Sequence, residues 1–144
     1  MIEVYFDGSC GPMNPGGDVG YGVLIRENGR VMCELAGGYT PPVGREKETS
    51  NNVGEYLAVV MAMKNLLDRE RNKERVTFFG DSNLVIMQMT GKWRIKKGFY
   101  VQLALEARRL ATQFPMISFQ WIPRERNESA DELSRKDKVQ MVGN

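Results

Sequence analysis

Residues 2–39, IEVYFDGSCGPMNPGGDVGYGVLIRENGRVMCELAGGY, decide the fold. Ile2, Val4 and Phe6 alternate with Glu3 and Tyr5, the period of a strand with one face buried, and this strand runs into Asp7. The segment GSCGPMNPGGD that follows is dense in Gly and Pro and reads as a loop. Val19, Tyr21, Val23 and Ile25 then alternate as a second strand, with Gly20 and Gly22 between them. Asn28-Gly29 is a two-residue hairpin turn, and a third strand follows over about 30–39.

Beyond this start the pattern changes. TPPVGREKETS (40–50) is a polar loop, and a long helix is expected over about 51–71. Glu55, Ala58, Val59, Ala62, Met63, Leu66 and Leu67 form one stripe on it. A fourth strand covers 76–80 and ends at Asp81, and a short helix is expected over 82–90. Leu103, Ala107, Leu110, Ala111 and Phe114 mark a helix over about 99–113. A fifth strand covers 116–122, Pro123 closes it, and a last helix occupies about 128–137. A hairpin-rich start followed by strand–helix alternation implies one mixed sheet with helices packed on it. A length of 144 residues suits a single domain spanning the whole chain, 1–144.

Composition narrows the function classes. No apolar run reaches membrane-spanning length, and the first residues lack the basic-then-apolar pattern of a signal peptide, so a soluble cytoplasmic protein without membrane contact is expected. Cys10 and Cys33 do not make a disulfide framework. The net charge is only +2, so any grip on nucleic acid must come from a local basic cluster. The chain contains no histidine, which excludes Ser–His and Cys–His nucleophilic triads and argues against a structural zinc site. Enzymatic chemistry would run on carboxylates, metals, Lys, Tyr or Cys.

Three acids sit where the backbone pattern should gather them. Asp7 ends the first strand and Asp81 the fourth; if these strands are parallel neighbours, both acids share the carboxyl edge of the sheet, where ligand sites of open α/β sheets form. Glu55 is the one charged member of an apolar stripe, and an inward carboxylate is destabilising unless it is paired or binds metal. Asp131, early in the last helix, is the fourth candidate. Each Asp also has an ordinary reading: Asp7 opening a turn, Asp81 capping the next helix, Asp131 complementing a helix dipole beside a Ser129–Glu132 capping-box spacing.

Four motifs, in order, resemble those of type 1 ribonuclease H: D-G-S-C with N-P-G-G and G-Y-G (7–22), T-S-N-N-V-G-E (49–55), G-D-S-N (80–83) and N-E-S-A-D-E-L-S (127–134). The resemblance runs from residue 2 to about 136. It implies an α/β ribonuclease H-like fold, a five-stranded mixed sheet with helices on both faces. It also implies Mg²⁺-dependent hydrolysis of the RNA strand of an RNA–DNA hybrid, leaving 5′-phosphate and 3′-hydroxyl ends. Asp7, Glu55, Asp81 and Asp131 would be the catalytic carboxylates and hold two Mg²⁺ ions, for which Mn²⁺ can substitute. Asp7 would bridge the ions, Glu55 and Asp81 hold the leaving-group metal, and Asp131 the metal carrying the attacking water. A monomer is expected.

Strand choice needs groups that read a 2′-hydroxyl, which both donates and accepts. Asn14, Asn51, Asn52 and Asn83 lie in or beside the matched motifs, where turn and cap chemistry is an equal use for them. Lys92, Arg94, Lys96 and Lys97 enclose Trp93, a basic cluster with aromatic interleaving that suits phosphates and a stacked sugar or base. The resemblance sets this segment against the DNA strand, in a shorter version than many relatives carry. It also departs from the family at the loop before Asp131: W-I-P-R-E-R-N lacks the histidine many relatives have there, and Arg124 or Arg126 stands as the replacement. Two alternatives stay open: a nuclease of the same fold acting on double-stranded RNA or DNA, and a non-catalytic nucleic-acid-binding relative.

Overall fold

The computed structural model describes residues 1–143, the side chains of residues 136–143 excepted. The elements run β1 (Ile2–Gly11), β2 (Asp18–Glu27), β3 (Arg30–Tyr39), α1 (Asn51–Asp68), β4 (Val76–Gly80), α2 (Asn83–Met89), α3 (Val101–Ala111), β5 (Ile117–Trp121), a 3₁₀ turn (Arg124–Arg126) and α4 (Glu128–Gly143). The five strands form one sheet in the order β3-β2-β1-β4-β5. β1–β2 and β2–β3 pair antiparallel, while β1–β4 and β4–β5 pair parallel, so the expected mixed sheet and fold class are observed.

Helices cover both faces. A Cβ on Gly8 would lie 2.1 Å from the Glu55 main-chain nitrogen, so α1 rests directly on one face of β1. A Cβ on Gly22 would lie 2.2 Å from the Ala130 carbonyl oxygen, so α4 rests as closely on the other face of β2. Only glycine permits either approach. β2 is consequently buried without interruption from Val19 to Ile25. The core lies between the sheet and α1, extended by α3 packed on α1, and Ile2, Val4, Phe6, Val23, Ile25, Val59, Met63, Leu66 and Phe78 have no exposed surface in it. Each such side chain contributes roughly 1.5–3 kcal/mol on burial. The stripe on α1 faces this core as expected, and Val53, Tyr56 and Val60 widen it because α3 packs against α1.

One boundary shifts in a way that matters. The segment read as a loop from Gly8 is strand as far as Gly11: Gly8, Ser9, Cys10 and Gly11 pair with Tyr21, Gly20, Val19 and Asp18. Asp7 therefore sits within β1 rather than at its end. The parallel pairing of β1 with β4 stops at Tyr5–Phe79, and continuing that register by two residues sets Asp7 level with Asp81. Smaller shifts shorten α1 to Asp68 and start α3 at Val101.

Candidate active site

Asp7 projects from β1 opposite Gly22, on a strand hydrogen-bonded on both sides of it. Glu55 comes from the second turn of α1, whose amino end is capped by the Ser50 hydroxyl accepting from the Val53 amide at 3.4 Å. Asp81 follows β4. Its expected alternative, capping α2, falls instead to Ser82, whose hydroxyl accepts from the Val85 amide at 3.2 Å. Trp121 donates its indole N–H to the Asp81 carbonyl at 3.2 Å and steadies that junction.

Asp131 is brought to Asp7 by two ties between α4 and β1. The Asn127 amide donates to the Phe6 carbonyl at 2.8 Å, and the Ser9 hydroxyl donates to the Ser134 carbonyl at 3.1 Å. Because α4 begins at Glu128, Ser129 lies inside the helix and no capping box occupies this end.

The four acids line one cavity of about 490 Å³. Ligand oxygens of Asp7, Glu55 and Asp81 lie within 4.8 Å of one another. Asp7 also hydrogen-bonds Asp131, so it stands between the other two acids on one side and Asp131 on the other. Burial pushes the Asp7 carboxyl up to about 7; the hydrogen bond with Glu55 opposes this, and the charge of Asp81 adds to it. Burial, followed by the neighbouring Asp7 and Asp81, raises Glu55 well above the usual carboxylate range. Asp131 goes the other way. Partial burial would raise it, but hydrogen bonds from Asp7 and Arg135 and the charges of Arg135 and Arg124 hold it down.

The donor set fits a divalent cation. Glu55 Oε2 is buried without a hydrogen-bond partner, an oxygen aimed at nothing the chain supplies. Hard cations take carboxylate oxygens, and clustered acids of raised proton affinity are what such an ion would relieve.

The other expected residues divide between two places. Asn51, Asn52, Asn83 and Arg124 line the acid cavity. Asn14 reaches its rim, its amide donating to Asn51 Oδ1 at 3.0 Å and its own Oδ1 accepting from the Asn51 N–H at 3.1 Å. Thr49 ties the same loop down, its hydroxyl donating to the Gly17 carbonyl at 2.7 Å. Cys10 also lines the cavity, its thiol engaged with the Met13 carbonyl. Arg126 is exposed and outside the cavity lining, which separates it from Arg124.

Lys92, Trp93, Arg94 and Lys96 line a second cavity of about 480 Å³ with Gln88 and Tyr100, and Leu84 borders both cavities. Lys97 is exposed beside it. Gly91 and Gly98, at φ +80° and +156°, bracket this segment. Two residues escaped the sequence reading. Arg135 lines the acid cavity and pairs with Asp131 at 3.1 Å; its position four residues along the helix was the available signal. Gln88, fully buried, gave none.

Comparison with known proteins follows the same lines. The family profile described as "Reverse transcriptase-like" matches residues 6–137. A ribonuclease H of Xanthomonas campestris pv. campestris is 31% identical over 157 residues, covering 99% of this chain and 95% of the relative. A bifunctional protein of Mycobacterium tuberculosis is 30% identical over 92% of this chain, which spans only 35% of that relative's length. Among solved structures, LC11-RNase H1 in complex with an RNA/DNA hybrid superposes with a TM-score of 0.85 at 28% identity, covering 99% of each chain.

Proposed function

The chain belongs to the reverse transcriptase-like family of the type 1 ribonucleases H, and from that membership we propose that it hydrolyses the RNA strand of RNA–DNA hybrids with the help of two Mg²⁺ ions. The observation that supports this most is the placement of Asp7 between the Glu55–Asp81 pair and Asp131, one carboxylate shared by two half-sites. Bound there, divalent cations would supply positive charge beside a phosphodiester that otherwise repels its nucleophile.

The chain's own groups then have distinct tasks. Asp7, Glu55 and Asp81 hold the leaving-group side. Asp131, kept ionised by its hydrogen bonds with Asp7 and Arg135 and by the charges of Arg135 and Arg124, would hold the cation on the side of the attacking water. Arg124 draws the scissile or product phosphate, standing in for the histidine that many relatives carry in this loop. Asn51, Asn52 and Asn83, with Asn14 at the rim, face the 2′-hydroxyls of the RNA strand. The products carry 5′-phosphate and 3′-hydroxyl ends.

The deciding experiment compares a labelled hybrid, duplex RNA and duplex DNA in one Mg²⁺ buffer. Cleavage of the RNA strand in the hybrid alone is expected. Equal cutting of duplex RNA would favour the broader nuclease, and binding of all three without cutting would make the chain a non-catalytic relative.

The basic segment Lys92–Lys97 is proposed to hold the phosphates of the DNA strand. Each phosphate contact contributes about 0.9 to the slope of log affinity against log salt. Lys96→Ala with Lys97→Ala is therefore expected to raise KM about 3- to 10-fold and to flatten the salt slope, with kcat little changed. An unchanged slope in steady-state kinetics over a salt series would refute the placement.

A further inference from the structure

Gln88 is 1% exposed, and its side chain uses both ends of its amide. Oε1 accepts from the Tyr56 hydroxyl at 2.7 Å. Nε2 donates to the Tyr100 hydroxyl and to the Arg94 carbonyl, each at 3.0 Å. The rings of Tyr56 and Tyr100 stack with centroids 5.7 Å apart and planes inclined by 7°. Arg108 from α3 donates to the Gln88 main-chain carbonyl at 2.9 Å. A polar group this deep is stabilising only when every bond is made, and here every donor and acceptor of the amide group has a partner.

The partners belong to elements with different duties. Tyr56 follows Glu55 on α1, and Tyr100 stands at the start of α3. Arg94 is in the middle of the basic segment, whose side chains are exposed apart from Ile95. The segment has no regular structure; its other backbone anchors are the Lys92 and Trp93 amides on the Met87 carbonyl, at 2.9 and 3.0 Å. Beyond its first two residues, the Gln88–Arg94 bond is the hydrogen bond among the described residues that ties the segment to the buried interior, beside the packing of Ile95 on the core. The amide has a single workable orientation: turned over, its oxygen would face the Arg94 carbonyl.

We propose that Gln88 is a positioning residue for hybrid binding: through the Arg94 carbonyl it fixes how the basic segment stands over the substrate groove relative to the helix that carries Glu55. Gln88 touches neither substrate nor the acids, and its effect belongs to affinity rather than to chemistry. The proposal rests on the reading that this segment grips the duplex.

Gln88→Met keeps the volume and removes the tie, and Tyr56→Phe removes one bond of the same network without touching Arg94. Gln88→Met is expected to raise KM about 5-fold, leave kcat within about 2-fold and flatten the salt slope. Tyr56→Phe should move KM by less than 2-fold. With only two tryptophans in the chain, a Trp121→Phe background isolates the emission of Trp93, whose anisotropy should fall in Gln88→Met as the segment loosens. If Gln88→Met does not fold, the double variant Tyr56→Phe/Tyr100→Phe, which removes the two side-chain bonds that orient the amide and leaves only its bond to the Arg94 carbonyl, replaces it with the same expected changes in smaller measure. Equal KM changes in Gln88→Met and Tyr56→Phe, or an unchanged Trp93 anisotropy, would overturn the proposal. Should the Lys96→Ala/Lys97→Ala variant leave KM and the salt slope unchanged, the reading of the segment itself fails. A change there with none in Gln88→Met sinks the Gln88 role alone.

Discussion

Asp7→Asn is expected to abolish hybrid cleavage in a protein that stays folded, binds the hybrid, and melts higher than the parent in EDTA at pH 8. The substitution keeps the shape of a side chain that is only 6% exposed, so β1 and its partners are undisturbed. On the proposed reading it removes the carboxylate that the two half-sites would share, so neither would be complete. When groups act as a unit, loss of one is felt at close to the loss of all, here a fall in kcat on the order of 10³-fold or more. The same change removes one of three clustered carboxylates, two of them buried, which explains the opposite sign for stability. Single-turnover cleavage of a labelled hybrid, with melting curves of both proteins, checks the two halves. A variant that cuts within about tenfold of the parent would remove Asp7 from the chemistry.

The second large effect is a metal-dependent melting temperature that grows with pH. Asp7 holds its proton more tightly in the folded protein, its carboxyl moving from 3.8 to about 7. Its stabilising contribution is thus full below about pH 4 and lost as pH rises through about 7. A shift of that size corresponds to roughly 4 kcal/mol across the window. Glu55, also raised, acts in the same direction. Asp131 is lowered and acts in the opposite one, its contribution present above the ordinary carboxylate range and lost as the pH falls. The acid cluster therefore weakens the metal-free protein as the pH rises from about 4 through about 7. A cation needs the ionised carboxylates and offsets this loss, more so at pH 8 than at pH 6. Addition of about 10 mM Mg²⁺ should raise the melting temperature by about 5 °C or more at pH 8 and by less at pH 6. Identical curves in EDTA and Mg²⁺ at pH 8 would mean that the cavity holds no cation.

The order of elements along the chain, the mixed sheet and the helix stripes were legible because each depends on a local period; Asp7 and Asp81 were legible as acids at the ends of strand runs, and Asp131 only through its motif. Glu55 was legible for the plainest reason: a charge in an apolar stripe needs a partner. The length of β1 was hidden because Gly8 and Gly11 have loop composition, and only pairing with Asp18–Tyr21 makes them strand. The division of labour between Asp81 and Ser82 was hidden because either side chain can cap a helix, and backbone geometry alone chose Ser82. Gln88 was invisible because its four bonds join residues 6 to 32 positions away, and a single polar residue in a seven-residue helix has no period to violate.

The two left-handed glycines around the basic segment have a consequence for how this scaffold can change. Gly91 and Gly98 are joints at which the chain leaves and rejoins the body of the protein. What lies between them can lengthen, shorten or be grafted from another source without shifting the strand that bears Asp7. On the function proposed above, grip on the nucleic acid and cleavage of its phosphodiester would thus be carried by separable parts of the chain.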